Sequence, residues 1–397
     1  MTHKINLTEL NWRFPLISEK QHIADIDSET LLAPFAQQLL DTLSELGRYL
    51  IRNSEKDANI VALGFWLRKS NLARIAKQYA GQERTAKGIV FHIAPGNVDT
   101  LFFYSLVVAL FAGNISILRL SSQTSVIADK LIYLLNQFVG SNNAFYFLQD
   151  YIKIVQYQKN DQVTQQLSKL ADARVIWGSN NTISSISAIP AKADAVDVCF
   201  PDRYSVAVIQ LETTQQVIEA VNGLLSDTKA FYQQACSSPK VIYWLNTAQN
   251  LQQQFWEMLS AKLLAISDEM PLNESEYIAK TLYWQQVGIL SERPVAAEVK
   301  NQMLTLIAVE EISREIVDAH CGIWCFLDMQ LMSIAQLDVL EHCQTIACFG
   351  VDENVLNSKV ANTEITAKRV VSLGQSLVFS HIWDGIDLID MLTIREK

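Results

Sequence analysis

Two stretches of the chain, residues 88–208 and 241–350, alternate short apolar strands with helical segments. That alternation predicts an α/β protein built on parallel sheets covered on both faces. Length points to two domains, because 397 residues with 49% hydrophobic content bury more than one compact core. No low-complexity linker and no internal repeat separates the two regions.

The elements follow in order from periodicity. The first eighty residues carry a helical pattern, with Leu31, Leu32, Phe35, Leu39, Leu40 and Leu43 on one face and Ile60, Leu63, Trp66, Leu67 and Leu72 on a later one. GIVFHIA (88–94) reads as a buried strand, 98–112 as a helix, ISILRL (115–120) as a strand, and the segment through Ile127 and Leu134 as a helix. YIKIVQY (151–157), ARVIW (173–177), AVDVCF (195–200) and SVAVIQL (205–211) supply further strands. In the second region the strands are VIYWL (241–245), TLIAVEE (305–311), GIWCFL (322–327) and TIACFG (345–350).

Composition excludes several classes of function. A net charge of −10 with no lysine- or arginine-rich run argues against nucleic acid, whose phosphates reward basic patches. The apolar run LFFYSLVVALFAGNISIL (101–118) is split by Gly113-Asn114 into a helix of about 12 residues and a strand, whereas a membrane span needs about 20. The first twenty residues hold no apolar signal core and the six cysteines are scattered, so a reducing, cytoplasmic compartment is expected. His320-Cys321 with Cys325, and His342-Cys343 with Cys348, lack the CxxC spacing of zinc sites and lie in apolar runs, so no metal is expected.

Chemistry is sought first at Cys236 in FYQQACSSPKVIYW (231–244), a thiol in a small-residue turn directly before an apolar strand. Backbone N–H groups or a helix N-terminus there would favour the thiolate, which can accept an acyl group, although a cysteine is just as much at home in a core. In open α/β sheets ligands sit beyond the carboxyl ends of strands. Three such ends stand out. Asn97 in Ala94-Pro95-Gly96-Asn97 suits either an oxyanion donor or a helix N-cap. Gly178-Ser179 after ARVIW allows backbone N–H groups to approach a cofactor. Arg119 at the end of ISILRL, followed by Ser121-Ser122, suits a nucleotide phosphate or ribose or a solvated charge. Neither GxGxxG nor GxxxxGK[ST] occurs. His92 reads as a core histidine and Trp383-Asp384-Gly385, beside His381, as a docking turn.

The joint order of GIVFHIAPGNVDTLFFYSLVVALFAGNISILRLS (88–121), RVIWGSNNTISSI (174–186), YSVAVI (204–209), QQACSSPKVIYW (233–244), HCQTIACFG (342–350) and RVVSLGQSLVFSHIWDGIDLIDMLT (369–393) resembles the LuxC-type acyl-CoA (fatty acyl) reductase branch of the aldehyde dehydrogenase superfamily. The resemblance implies an aldehyde-dehydrogenase-like fold. A Rossmann-type cofactor domain would span residues 1–203, with N-terminal helices and a completing tail 373–397, and an α/β catalytic domain would span 204–372.

It also implies roles. Cys236 would be the acyl-accepting nucleophile, Asn97 the oxyanion donor, and Gly178-Ser179 the nicotinamide-facing turn. Arg119 stands where a ribose-binding lysine is common. Ser122 stands near where NAD-preferring members carry a glutamate, and its lack of charge favours NADPH. The superfamily's general-base glutamate has no clear match, with Asp202 the one acid near its place. That gap favours acyl reduction over aldehyde oxidation, because only oxidation needs a base to activate water. The ribose-gripping glutamate cannot be chosen among Glu310, Glu311 and Glu315.

The resemblance therefore implies NADPH-dependent reduction of an acyl-CoA or acyl-protein thioester to a fatty aldehyde. It implies a homo-oligomer, and an acyl-protein synthetase or transferase as partner. The alternative is a degenerate, non-reducing acyl-transfer or scaffold subunit of such a complex.

Overall fold

The computed structural model describes residues 10–16, 31–94, 100–121, 125–158, 160–291, 296–337, 339, 342–362 and 369–396. The chain divides into two compact units, residues 1–202 with 379–397, and residues 203–378.

The first unit opens with strand β1 (Asn11–Phe14), which lies antiparallel to the later strand at Ile152–Gln156. Helices α1 (Gln37–Asn53), α2 (Ala58–Trp66) and α3 (Lys69–Gln78) follow. The apolar face read as one helix from Leu31 divides here. Leu31, Leu32 and Phe35 precede α1, Phe35 with a left-handed φ of 61°, and Leu72 belongs to α3 rather than α2. Asp57 caps α2 by accepting the N–H groups of Asn59 and Ile60, which starts a new helix where the periodicity alone showed no break.

Next come β2 (Arg84–Ala86), β3 (Ile89–Ile93), α4 (Leu101–Phe111), β4 (Ile115–Leu120), α5 (Val126–Gly140), α6 (Leu148–Tyr151), β5 (Ile152–Gln156), α7 (Asp161–Leu170), β6 (Ala173–Gly178), α8 (Asn180–Ser187) and β7 (Val196–Pro201). Strands β1-β5-β4-β3-β6-β7 form one sheet, parallel except for β1. Every residue of β3 and of α4 is buried, so α4 is a core helix, as its length required. Among the described residues no helix is long and apolar enough to cross a membrane. His92 is a satisfied core histidine, with its ring nitrogens 2.8 Å from Ser105 Oγ and 3.2 Å from Ser116 Oγ. Burial lowers its pKa to about 3, so the ring is neutral.

The second unit holds β8 (Tyr204–Ile209), α9 (Thr214–Lys229), β9 (Pro239–Leu245), α10 (Gln249–Ala265), α11 (Glu274–Leu290), β10 (Ala296–Val299), β11 (Thr305–Ala308), α12 (Arg314–Asp318), β12 (Cys325–Leu331), β13 (Cys343–Phe349), α13 (Glu353–Asn362) and β14 (Arg369–Ser372). Its sheet has the order β10-β11-β12-β9-β8-β13-β14, parallel except at the β10 edge. Capping boxes at Thr213/Gln216 and Asn273/Glu276 start α9 and α11. The edge strands β10 and β14 carry no long apolar run and escaped periodicity.

The tail returns to the first unit through β15 (Ile382–Trp383), β16 (Ile386–Asp387), α14 (Leu388–Met391) and β17 (Thr393–Arg395), the last paired with β2. Asp384 and Gly385, at φ 51° and 72°, form the expected turn between β15 and β16.

Candidate active site

In the first sheet the chain runs outward from β3 through β4 to β5, then crosses to β6 and β7 on the other flank. The order therefore switches between β3 and β6, the position at which open α/β sheets take their ligands. Gly178 ends β6 at this edge with φ 152°, and a Cβ added to it would lie 3.1 Å from Thr182 Cγ2, so any other residue is strained there. Ser179 caps α8 by accepting the Thr182 N–H at 3.2 Å. On the other side of β3, Arg119 pairs in register with Ile93, and its backbone carbonyl accepts the Ala94 N–H at 3.1 Å. Its guanidinium lies 5.0 Å from the Tyr157 ring centroid, and Nε is buried without a hydrogen-bond partner among the described residues.

Arg119, Gly178 and Ser179 thus share one edge of one sheet. Asn97 and Ser122 lie outside the described residues. The cradle at Gly178 and the unpartnered Arg119 Nε fit a dinucleotide, whose backbone needs a close approach and whose phosphate or ribose takes a donor.

Cys236 lies in the second unit, half-buried, in the turn that enters β9. It stands at the amino-terminal edge of its sheet, not beyond a carboxyl end, so the rule that pointed to Arg119 and Gly178-Ser179 does not locate the thiol. No helix starts at Cys236 among the described residues. The turn follows the carboxyl end of α9, and what shapes it is a set of hydrogen bonds. Ser205 Oγ, at the start of β8, donates to the Cys236 carbonyl at 2.8 Å. Ser238 N–H donates to Ala235 O at 3.0 Å, and Ser238 Oγ to Asp227 O at 2.6 Å.

Gln233 is the anchor in front of the thiol. It is fully buried, its Nε2 donates to Pro239 O at 2.9 Å, and its Oε1 accepts the Cys325 N–H at 2.9 Å. Tyr232 and Gln233 are both left-handed, at φ 50° and 63°. The neighbouring loop mirrors them: Gly322, Ile323 and Trp324 have φ 70°, 57° and 49°, and Cys325 N–H closes the turn on Gly322 O at 3.1 Å. A left-handed residue other than glycine costs about 1–2 kcal/mol, most for a β-branched one such as Ile323. Contacts between the two loops hold this strain, with Ile323 N–H donating to Tyr232 O at 2.6 Å. A Cβ on Gly322 would fall 2.9 Å from Gln234 Cγ.

Of the other cysteines, Cys343 and Cys348 have thiols pushed up to about 12 by burial, and burial also raises Cys199. Glu310 and Glu311 follow the carboxyl end of β11, at the opposite edge of the sheet from the Cys236 turn. Asp202 is exposed in the link from β7 to β8.

A family model described as acyl-CoA reductase (LuxC) matches residues 19–395. The chain belongs to the LuxC acyl-CoA reductase family. It is accordingly an aldehyde-forming oxidoreductase. The fold is that of the aldehyde dehydrogenases. An NAD-dependent benzaldehyde dehydrogenase from Corynebacterium glutamicum superposes with TM-score 0.65 at 14% identity, over 93% of this chain and 86% of that one. Betaine aldehyde dehydrogenase from Staphylococcus aureus superposes with TM-score 0.63 at 15% identity, over 90% of this chain and 80% of that one, and the putative aldehyde dehydrogenase PutA from Anabaena variabilis with TM-score 0.62 at 15% identity, over 91% and 86%. No curated protein matches the chain.

Within this LuxC-family chain, sequence reasoning missed Ser205, Gln233 and Gly322. Each is an ordinary residue type whose importance comes from a partner far along the chain. The doubled glutamine before Ala235-Cys236 was the available signal, since a polar pair entering an apolar strand needs hydrogen-bond partners.

Proposed function

We propose that this LuxC-family enzyme uses NADPH to reduce a fatty acyl thioester, carried by CoA or by a protein, to the aldehyde through an acyl-cysteine on Cys236. The observation that carries the reading is the Cys236 turn: a half-buried thiol whose backbone is tied down by Ser205, Gln233 and Ser238. A nucleophile held this way meets the acyl carbonyl without first being ordered.

The Cys236 thiolate attacks the carbonyl carbon and forms the new C–S bond. The Asn97 amide and the Cys236 N–H donate to the developing oxyanion. The bond to the donor sulfur then breaks, and CoA or the carrier thiol leaves with a proton. When bound, the reduced nicotinamide supplies the hydride that takes the acyl group to the aldehyde level. Cys236 leaves as thiolate when the thiohemiacetal collapses. Gly178, Ser179, Arg119 and Ser122 would hold the cofactor. With no carboxylate at 122 to repel a 2′-phosphate and Arg119 to meet it, the phosphorylated form is favoured. Asp202 is the one acid near the place of the superfamily's general-base glutamate, and an acyl-enzyme with no base to activate water resists hydrolysis. An acyl-protein synthetase or transferase is the natural donor partner, and the active form is a homo-oligomer.

The test follows NADPH absorbance with acyl-CoAs of increasing chain length, with NADH as comparison, for wild type and Cys236→Ala. Aldehyde formation by the wild type alone is expected. Equal turnover by Cys236→Ala, or consumption without aldehyde, overturns the reading.

A further inference from the structure

Asp328 is a carboxylate in a place that apolar packing would fill more simply. It sits in the middle of β12, among the apolar side chains that pack the sheet against α10, and accepts the indole N–H groups of Trp244 at 2.6 Å and Trp256 at 3.2 Å. Each oxygen has one donor and keeps a further lone pair. Among the described residues no lysine, arginine or histidine pairs with it. Burial raises its pKa to about 6, so at neutral pH it is an anion held by two neutral donors alone. A buried charge in that position costs stability until a group of opposite sign meets it.

A cleft of about 430 Å³ opens at this carboxylate, a size that small ligands occupy. Gln249, Gln252 and Trp256, at i, i+3 and i+7 on α10, form one wall. Gln252 is fixed there by reciprocal amide hydrogen bonds with Gln330, at 2.9 and 2.8 Å. The other wall is the edge of the sheet, β10 and β11. Ala308 pairs in register with Asp328, so the two side chains leave the sheet on the same face. A methyl group therefore stands where a larger residue would cover the carboxylate. The other charges of the lining cancel, because Lys300 Nζ lies 2.7 Å from Glu298 Oε1. What is left over in the cleft is the single negative charge of Asp328.

We propose that this cleft is a binding site for a small organic cation, a primary ammonium or a guanidinium, whose charged head meets Asp328. The head donates to the lone pairs that the two indoles leave free, and the hydrogen bonds so formed are charge-assisted on both sides. Trp256, which lines the same cleft, adds an aromatic surface that favours a cation over a neutral group. Leu306 and Ala297 take the apolar stem. A metal ion does not suit the cleft, since among the described residues no three His, Cys, Asp or Glu side chains converge. The site lies wholly in the second unit and uses no residue of the Cys236 turn, so it does not depend on the reading of Cys236.

The test titrates n-butylamine and n-butylguanidine into the full-length protein by isothermal calorimetry, at constant ionic strength and a slightly alkaline pH at which Asp328 is ionised. The neutral counterpart is 1-butanol. Expected is saturable one-to-one binding of at least one of the two cations and none of the alcohol. Asp328→Asn keeps the shape of the carboxylate without its charge and should bind about tenfold more weakly or worse. Ala308→Trp fills the cleft from β11 while leaving the Asp328 hydrogen bonds in place, and should abolish binding; it carries the test if Asp328→Asn does not fold. No saturable binding of either cation by folded wild type overturns the site. So does wild-type affinity in either folded variant, or equal affinity for the alcohol. Because the readout is binding rather than turnover, a failure here leaves the Cys236 reading untouched, and a loss of that reading leaves this one standing.

Discussion

The side-chain Oε1 of Gln233 accepts the backbone N–H of Cys325 at 2.9 Å, while Nε2 of the same amide donates to Pro239 O. One buried side chain thus joins the start of β12 to the start of β9, with Cys236 in the turn between Gln233 and Pro239. The Cys236 loop has no regular ladder of its own, so this amide takes the place that strand pairing fills elsewhere.

Gln233→Ala removes the donor to Pro239 O and leaves the Cys325 N–H with Gly322 O as its acceptor. The expected loss is about 1–3 kcal/mol of stability. Urea unfolding measures it, and kcat should fall more than KM rises. An unchanged midpoint would show that water or rearrangement replaces the amide.

Ser205→Ala removes the hydroxyl that donates to the Cys236 carbonyl. The expected stability loss is about 1 kcal/mol. Alkylation of Cys236 by iodoacetamide should show a changed pH profile, and a profile identical to wild type would sever Ser205 from the presentation of the thiol.

Gly178→Ala combines a φ of 152° with a Cβ 3.1 Å from Thr182. Strain of about 1–3 kcal/mol is expected. NADPH binding, followed by fluorescence, should weaken with it. Full affinity in the alanine variant would move the cofactor away from this turn.

Cofactor choice is tested by Ser122→Glu and Arg119→Ala. A carboxylate at 122 should shift preference toward NADH, and loss of the guanidinium should weaken NADPH about tenfold or more. Parallel kcat/KM values for both cofactors decide it; ratios unchanged from wild type reject both assignments.

Asp328 accepts hydrogen bonds from Trp244 Nε1 at 2.6 Å and Trp256 Nε1 at 3.2 Å, yet burial raises its pKa to about 6. The folded protein therefore holds this proton more tightly than the unfolded chain, whose aspartates titrate near 4. Stability from this group is greatest below about pH 4 and is lost as pH rises through about 6, by about 2–3 kcal/mol. Asp328→Asn should flatten that segment of the stability curve, measured by urea unfolding at a series of pH values. An unaltered slope would place the titration elsewhere.

Much of the fold was legible because its signals are local. The strands of both sheets announce themselves as short apolar runs, since a parallel strand covered on both faces has no polar side to show. The edge strands β1, β10 and β14 were not legible, because an edge keeps one flank unpaired and needs no such run. The helical lead-in was misdivided at Phe35 and at Asp57, where a left-handed residue and a cap break a pattern that looks continuous in one dimension.

The amino-acid sequence by itself determined the α/β class, the buried character of α4 and His92, the turn at Asp384-Gly385, and membership of the acyl-CoA reductase family, since each follows from residue types at short spacing or from motifs in order. Tertiary structure alone decided which edge of which sheet each candidate occupies. It put Arg119 and Gly178 on either side of β3 at a carboxyl edge, and Cys236 at an amino-terminal edge beside Cys321 and Cys325. The reason is physical. Sheet order and left-handed turns are settled by contacts between residues such as Gln233 and Cys325, 92 positions apart, and no local propensity encodes a partner at that distance.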